Sequence, residues 1–285
     1  MIITPDNYHS DEANREYKSC SQIKTAMDCG SRWLAERNGE YSRPESDALL
    51  HGSYVDIALT EPESMGEFIE ENYDRLHKKD IKKDIEAGIR RYKKLQAIAD
   101  LDSCINRARR DPVFIDYLTG KYQEIIVLED FHGHAFKCKL DVLQFPADIG
   151  DNGREVDLKT CAGLDKDEWK RMPDDSFKKV SWIFLYGYHL QRALYRDAVF
   201  AKYHFRPDSY IAAIEKGKVP DLRVIHFDWP VQIWGALMDQ CIAAMDMMDR
   251  IVTGDEEPKR CEHCDHCKKT RVLGGPVPVE FDSNV

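Results

Sequence analysis

The segment that decides the fold is REVDLKT, residues 154–160, near the middle of a chain of 285 residues. Successive side chains of a β-strand alternate between its two faces, so Asp157 and Lys159 point one way. Val156 and Leu158 point the other way, toward a core. A lone acid and base on one face of a strand often form only a surface ion pair. The neighbouring segments therefore have to decide whether this pair belongs to a site.

Two more strand-like segments precede this one. YQEIIVLEDF covers residues 122–131 and HAFKCKLDVLQF covers residues 134–145, and both are rich in Val, Ile and Phe in alternation with polar residues. A short Gly-containing turn joins them, and PADIGDNG, residues 146–153, leads on to REVDLKT. Three consecutive strands with short connections predict an antiparallel meander.

Acidic residues fall at matching places on the three strands. Alternation predicts that Glu124, Asp141 and Asp157 converge, with Lys159 at the rim. Clustered carboxylates are costly to bury without a counter-ion, and oxygen ligands suit Mg²⁺ or Mn²⁺. Such an ion polarises a phosphodiester and lowers the pKa of a bound water, which a neighbouring lysine can orient. This pattern predicts a metal-dependent hydrolytic site.

Helical patterns surround the meander. Their predicted ranges are 21–37, 47–62, 80–110, 112–118, 177–203 and 231–252, with two further strands at 209–215 and 222–228. This order predicts an α/β fold with a mixed sheet core flanked by helices and helical additions at both ends. We expect a single domain over residues 1–285, with a helical insertion at about 63–118 and a Cys-rich tail at about 258–285.

The charge pattern and the cysteine content indicate the expected binding partner and cellular location. The formal net charge is −10, yet residues 78–94 hold eight Lys or Arg against three Asp or Glu. Such a basic patch either steers nucleic acid or is a solvated helix face. No apolar run is long enough to span a membrane, and the N-terminal residues do not resemble a secretory signal. Nine cysteines without an export signal predict a reducing compartment, and the cytoplasm is the expected location.

Three cysteines stand close together near the C-terminal end. Cys261, Cys264 and Cys267 have C-x-x-C-x-x-C spacing, and a fourth ligand would complete a tetrahedral or cubane site. Cys29 is the candidate for that fourth ligand. The alternatives are a histidine from the same segment, His263 or His266, and a reduced site without metal.

The chain resembles a known nuclease superfamily. A strand Asp, a hairpin and then D-x-K form the core motif of the PD-(D/E)XK nucleases. Six ordered segments are similar, more particularly, to the phage and prophage exonuclease VIII-like family: YKSCSQIKTAMDC, ALLHGSYVDIAL, KCKLDVLQF, REVDLKT, GYHLQRALYRDAV and RCEHCDHCKKTRVLGGPV. The resemblance runs from about residue 17 to residue 277 and implies a restriction-endonuclease-like fold.

The resemblance implies roles for residues of the strand motif and of a later helix. Asp141 and Asp157 would bind metal with the backbone carbonyl of Leu158, and Lys159 would position the attacking water. QRALY matches the Q-x-x-x-Y motif of the family, so Gln191 and Tyr195 would hold the scissile phosphate or the water.

Two departures from the relatives concern metal ligands. Related recombination nucleases carry a ligand His four residues after a Gly, whereas here Asp56 stands four residues after Gly52. In several relatives one early and three late cysteines hold a 4Fe–4S cluster, but the gap before the last cysteine is longer there. The resemblance thus implies Asp56 as a metal ligand, and either a 4Fe–4S cluster or Zn²⁺ at the cysteines.

The activity implied by the resemblance is a Mg²⁺-dependent exonuclease. It would digest double-stranded DNA ends during phage or prophage recombination, work beside a single-strand annealing recombinase, and form a homo-oligomeric ring. Two alternatives remain open. One is a PD-(D/E)XK nuclease of the CRISPR-adaptation or restriction type, and the other is a non-catalytic protein that binds DNA or a partner and carries a Cys-bound metal.

Overall fold

A computed structural model describes residues 1–44, 46–79, 82–89, 93–172 and 176–276. Five strands form the main sheet and two form a separate hairpin. In chain order the strands are β1 (Lys121–Phe131), β2 (His134–Gln144), β3 (Arg154–Cys161), β4 (Asp167–Arg171), β5 (Phe177–Ser181), β6 (Asp208–Glu215) and β7 (Asp221–His226).

The main sheet is mixed, with strand order β1-β2-β3-β6-β7. The predicted meander is present, because β1 pairs antiparallel with β2 and β2 pairs antiparallel with β3. β3 and β6 are parallel neighbours, and β7 closes the sheet in antiparallel orientation. A parallel pair needs a long crossover connection. Here the chain between β3 and β6 supplies the hairpin of β4 and β5 and a long helix.

Helices cover both faces of the sheet. In the described residues they are α1 (Asp11–Glu16), α2 (Cys20–Asp28), α3 (Gly30–Asn38), α4 (Asp47–Thr60), α5 (Met65–Glu71), α6 (Tyr73–Leu76), α7 (Lys82–Glu86), α8 (Gln96–Arg109), α9 (Pro112–Tyr117), α10 (Pro146–Ile149), α11 (Trp182–Leu185), α12 (Tyr188–Tyr203), α13 (Val231–Thr253) and α14 (Asp265–Lys269). A short 3₁₀ turn spans Pro62–Ser64.

Two apolar cores lie on opposite sides of the sheet. One joins α2, α12 and α13 to the sheet through residues such as Ile211 and Ala213. The other joins α4 and α8 to residues of β3 and β6, including Val156 and Leu158. The alternation predicted for REVDLKT is therefore confirmed, since its apolar residues face the second core. The predicted α/β class, a mixed sheet flanked by helices, is likewise the observed one.

The single helix predicted over residues 21–37 is wrong. The structure has two helices, α2 and α3, separated at Cys29, whose backbone is extended with φ −156°. The Cys29 sulfur accepts the amide of Arg32 and so begins the second helix, as a side-chain cap does. The break also turns this thiol toward the C-terminal cysteines.

The single helix predicted over residues 177–203 is also wrong. Residues 177–181 form β5 and pair antiparallel with β4, then α11 follows, and α12 begins after Gly187. Gly187 has φ +65°, a left-handed conformation that interrupts an α-helix and that glycine adopts readily. The C-terminal part of the prediction, which carries the Q-x-x-x-Y motif, is confirmed as α12.

The long helical region predicted at 80–110 is shorter in the described residues. α8 begins only after Leu95, and Lys94 forms a β-bridge with His77 instead of continuing a helix. Residues 80, 81 and 90–92 of that prediction lie outside the described residues, as does the end of the Cys-rich tail. The assignment of residues 63–118 as an insertion stays a prediction. Within the part of the chain that the structure describes, no helix has the length and apolar character of a membrane span.

Candidate active site

The site lies at a fork between two neighbouring strands. β2 and β3 pair only through Val142–Val156 and the next two residue pairs toward the turn. Asp141 and Asp157 are the residues next to the Val142–Val156 pair on its other side, where the hydrogen bonding between the two strands ends. The Leu158 amide donates to Asp141 Oδ2 at 2.9 Å, so a carboxylate takes the place of a backbone acceptor. The fork therefore brings both predicted aspartates together.

The ammonium group of Lys159 occupies the centre of this fork. Its Nζ is 2.6 Å from Asp157 Oδ2 and 3.6 Å from Asp141 Oδ2, and it donates to the Leu158 carbonyl at 3.1 Å. Burial opposes the charged form, but Asp157 and Asp141 outweigh it and raise the pKa of Lys159. The three oxygen groups predicted to hold a cation thus already surround one positive charge.

A buried arginine that the sequence reasoning missed lies behind the fork. Arg192 on α12 is fully buried, forms an ion pair with Glu155, and donates to Asp157 Oδ1 at 2.8 Å. Burial alone would raise the pKa of Asp157, but Arg192 and then Lys159 lower it. Two features of the sequence indicate a buried ion pair behind Asp157. Glu155 stands two residues before Asp157 on the same strand face, and Arg192 sits inside the Q-x-x-x-Y motif.

The two residues predicted from that motif take different positions. Gln191 reaches the site, because its amide donates to Asp157 Oδ1 at 2.9 Å. Tyr195 is buried in the core on the α12 side, and its ring centroid lies 5.1 Å from the guanidinium of Arg192. Its proposed contact with phosphate stays a prediction.

Asp56 approaches the fork from α4. Its Oδ2 accepts the side-chain amide of Gln123 at 3.3 Å, whereas its buried Oδ1 has no hydrogen-bond partner among the described residues. Burial, and then the charge of Asp141, raise the pKa of Asp56 to about 7. A buried carboxylate oxygen without a partner is suited to a cation, and this supports the predicted ligand role.

Glu124 does not join the acidic cluster, so this part of the prediction is wrong. Its carboxylate is bound by Lys121, Lys202 and Tyr203. Lys202 and Tyr203 lie at the C-terminal end of α12, about 15 Å along the helix from the residues that bind Asp157. Glu124 therefore faces the same helix as Asp157, but too far from the fork to join the other carboxylates.

The donors at the fork are of the kind that binds a hard divalent cation. Asp56, Asp141, Glu155 and Asp157 lie around Lys159 and Arg192, and the charges of Lys139 and Lys24 also act on Asp56 and on Asp157. Burial raises the pKa of Asp141, although the charge of Lys159 opposes this shift. In the part of the chain described, only the cysteine group brings three or more such ligand atoms within 4.8 Å of one another. The carboxylates are thus arranged around the lysine ammonium rather than around each other.

The four predicted cysteines form a second, separate site. Their sulfurs lie within 4.8 Å of one another, with Cys29–Cys267 at 3.6 Å, Cys264–Cys29 at 3.9 Å and Cys261–Cys267 at 4.0 Å. The histidine alternatives do not contribute: His266 Nε2 pairs with the Ser31 hydroxyl, and His263 Nδ1 contacts the Cys261 carbonyl.

Backbone amides prepare this group for metal binding. The amides of Cys264 and Cys267 donate to the preceding cysteine sulfurs at 3.3 and 3.4 Å. Burial opposes ionisation of Cys261, but backbone hydrogen bonds outweigh it and lower its pKa to about 7. Thiolates are the form that binds metal, so the group is compatible with either Zn²⁺ or an iron–sulfur cluster.

A helix-covered mixed sheet with two aspartates and a lysine at a strand fork defines a PDDEXK-like domain. The chain belongs to the family described as a PDDEXK-like domain of unknown function (DUF3799), whose profile matches residues 19–270. It is also similar to a solved structure, the "Putative exonuclease" of Eubacterium rectale. That similarity has 28% sequence identity and a TM-score of 0.80, and covers 98% of this chain and 97% of the other. No curated protein matches the chain.

Proposed function

We propose that this protein is a metal-dependent deoxyribonuclease that removes nucleotides from the ends of double-stranded DNA. The observation that carries the proposal is the convergence of Asp141, Asp157 and Lys159 at the β2–β3 fork. Membership of a PDDEXK-like family supports a nuclease, and the similar protein from Eubacterium rectale bears the name of an exonuclease.

Each group at the fork has a task in phosphodiester hydrolysis. Asp56, Asp141, Asp157 and the Leu158 carbonyl would hold Mg²⁺ or Mn²⁺, which when bound polarises the phosphate and lowers the pKa of water. Lys159 would orient the attacking water and stabilise the negative charge that develops on phosphate oxygens. The new bond joins water oxygen to phosphorus, and the bond to the leaving sugar oxygen breaks.

The residues behind the fork position Asp157. Gln191 and Arg192 both donate to its Oδ1, which leaves Oδ2 directed toward Lys159. A carboxylate held on one side by two donors keeps its orientation when a cation binds on the other side. Arg192 is therefore a positioning residue, and Tyr195 supports it from the core.

We further propose the biological setting that the family resemblance implies. The enzyme would resemble exonuclease VIII, act in phage or prophage recombination beside a single-strand annealing recombinase, and work as a ring around DNA in the cytoplasm. A ring that encircles its substrate loses affinity with salt during loading more than during digestion. Digestion started at low salt should therefore continue after a salt step that blocks new loading.

Nucleotide release from DNA with and without Mg²⁺ tests the enzymatic proposal. We expect release from linear duplex DNA with Mg²⁺, none with EDTA, and none from a closed circle of the same sequence. Asp157→Asn should reduce release at least a hundredfold, and Asp148→Asn, an exposed carboxyl on α10, should not change it. Cleavage of the circle would identify a restriction-type nuclease instead, and DNA binding without release by the native protein would identify a non-catalytic binder.

For the cysteine site we propose a single Zn²⁺ rather than a 4Fe–4S cluster. Four sulfurs at about 2.3 Å from one tetrahedral ion lie about 3.8 Å apart. The three sulfur pairs above lie between 3.6 and 4.0 Å apart. In a cubane each thiolate binds a different iron, and the body of the cluster holds the sulfurs farther apart. The spacing supports one ion.

Metal analysis of protein purified without air distinguishes the two. We expect colourless protein with one zinc per chain, and cobalt substitution should give the visible spectrum of a tetrahedral thiolate site. The Cys267→Ser variant should lose the zinc, whereas Cys241→Ser, which alters an equally buried cysteine of the core, should keep it. Brown protein with iron and sulfide would overturn the zinc assignment and leave the nuclease proposal unaffected.

A further inference from the structure

The hairpin of β4 and β5 stands apart from the main sheet but between its catalytic elements in sequence. It follows β3, which carries Asp157 and Lys159, and it leads through α11 into α12, which carries Gln191 and Arg192. Trp182 of α11 anchors its base, because the indole Nε1 donates to the Leu164 carbonyl at 3.2 Å. A two-stranded hairpin has little stability of its own, so this anchor and α11 support it.

One face of the hairpin exposes two large aromatic rings. Trp169 is 63% exposed and Phe177 is 61% exposed. In the antiparallel register Trp169 is opposite Lys179 and Arg171 is opposite Phe177, so these four residues share one face. Exposed aromatic surface of this kind is characteristic of a binding site rather than of a solvated strand pair.

The face of the hairpin that carries the two rings also carries cations. Among its described strand residues Arg171 and Lys179 are basic, and Asp167 is acidic. Lys179 Nζ lies 5.5 Å from the centroid of the Trp169 ring, which places an ammonium beside the aromatic surface. Aromatic rings interleaved with cations are the features that bind single-stranded nucleic acid, since bases stack on the rings and phosphates pair with the cations.

Aromatic residues continue from the hairpin toward the fork. Tyr186, which follows α11, is 55% exposed, and its ring centroid lies 6.0 Å from that of Tyr188. The Tyr188 ring lies 5.5 Å from Lys159 Nζ. Tyr186 and Tyr188 thus form a pair of neighbouring rings that ends beside the lysine of the fork.

We propose that the face formed by Trp169, Arg171, Phe177 and Lys179 binds the unpaired nucleotides of a single DNA strand and guides that strand to the active site. The guiding role rests on the proposed nuclease function, whereas the binding itself does not. The charge of the face and its aromatic rings favour nucleic acid over an acidic or an apolar protein surface.

Tryptophan fluorescence measures this binding without hydrolysis. The other four tryptophans are buried or half-buried, so stacking on Trp169 should dominate any quenching by an oligothymidylate added in EDTA. We expect quenching in the wild-type protein. Trp169→Phe should bind with similar affinity but lose most of the quench, because a phenyl ring still stacks.

Anisotropy of a labelled oligothymidylate, also in EDTA, supplies the affinities. The double variant Trp169→Ala/Phe177→Ala should weaken binding about tenfold or more, since each substitution removes one ring on which a base stacks. Phe200→Ala is the matched control, because it removes a 39% exposed ring from α12 away from the hairpin. Circular dichroism of each variant checks the fold.

The outcomes separate this proposal from the nuclease proposal. Wild-type affinity in the double alanine variant, or binding only of an acidic peptide, would overturn the hairpin proposal even if the enzyme digests DNA. Weakened oligonucleotide binding supports it even if the native protein releases no nucleotides, a result that would reject the nuclease function alone.

Discussion

Asp141 accepts the backbone amide of Leu158 at 2.9 Å where the ladder between β2 and β3 ends. The same Oδ2 lies 3.6 Å from the ammonium of Lys159. One side chain thus stabilises the opened strands and also contributes an oxygen to the proposed cation site. These two tasks can be separated, because an amide side chain can accept a hydrogen bond but is a poor ligand for a hard cation.

We expect Asp141→Asn and Asp141→Ala to differ in stability but not in activity. The alanine variant leaves the Leu158 amide without its acceptor, which costs about 1–3 kcal/mol, whereas asparagine retains an acceptor oxygen. Urea denaturation measures the difference, and nucleotide release should be absent in both variants. Equal stability of the two variants would show that the hydrogen bond does not support the fork.

Replacing Lys159 with Met should separate cation binding from catalysis. The ammonium lies among the oxygens of Asp157, Asp141 and Leu158, so it competes with a metal ion for them. Lys159→Met should bind Mn²⁺ at least as tightly as the wild type, as measured by calorimetry, yet release no nucleotides. Weaker Mn²⁺ binding would mean that the lysine helps to hold the ion.

Arg192 should matter to folding as well as to the site. It is fully buried between Glu155 and Asp157, and its removal takes the ion-pair partner from Glu155 and one of the donors from Asp157. Breaking such a buried pair costs about 3–5 kcal/mol. Arg192→Met should therefore lower the free energy of unfolding by that amount, and adding Glu155→Gln should recover part of it. A loss below about 1 kcal/mol would contradict this view.

The stability of the metal-free protein should depend on Asp56 and on pH. Burial, and then Asp141, raise the pKa of Asp56 to about 7 in the fold, compared with about 3.9 in an unfolded chain. The folded state therefore binds the proton more tightly, and this contribution to stability is lost as pH rises from about 4 through 7.

Asp56→Asn removes that titration. In EDTA at pH 8 it should be more stable than the wild type by about 1–3 kcal/mol, and the difference should nearly vanish at pH 4. Excess Mg²⁺ at pH 8 should stabilise the wild type and remove the difference. Thermal unfolding across this pH range provides the measurement. The same difference in stability between variant and wild type at pH 4 and pH 8 would contradict the raised pKa of Asp56.

The cysteine site should hold the C-terminal segment against the N-terminal helices. Cys29 lies between α2 and α3, and Ser31 donates its backbone amide to the Lys259 carbonyl at 3.0 Å. Cys267→Ser should cost about 3 kcal/mol or more and make the chain after residue 258 sensitive to protease, because metal binding is coupled to folding. Cys241→Ser is the control. Equal protease sensitivity of the two variants would contradict the view that the cysteine site holds the C-terminal segment in place.

Local patterns account for the part of the site that the sequence predicted. Asp157 and Lys159 are two residues apart on one strand, so strand periodicity places them on one face, whereas Gln191 was implied by the resemblance of QRALY to the Q-x-x-x-Y motif. The cysteine spacing likewise predicted a metal group. The D-x-K strand and the three C-terminal cysteines are each close together in the chain, whereas Cys29 joins its group only through the fold.

Glu124 and the hairpin show where local patterns fail. Alternation places Glu124 on the side of the sheet that α12 covers, but its position along β1 brings it to Lys202 and Tyr203 rather than to Asp157. Residues 177–181 have an apolar pattern that suits a helix, but pairing with β4 makes them a strand. Hydrogen bonds to the neighbouring strand of the hairpin outweigh the helix preference of these residues here.

The sequence by itself determined the class of fold, the meander with its D-x-K strand, and the group of three C-terminal cysteines, because periodicity and spacing follow from the covalent chain. Only the tertiary structure decided that Arg192 is buried behind Asp157, that Glu124 lies too far from the fork to join the other carboxylates, and that the sulfurs lie close enough for one ion. Burial and long-range contact determine the charge, pKa and partners of a side chain, and neither property is local.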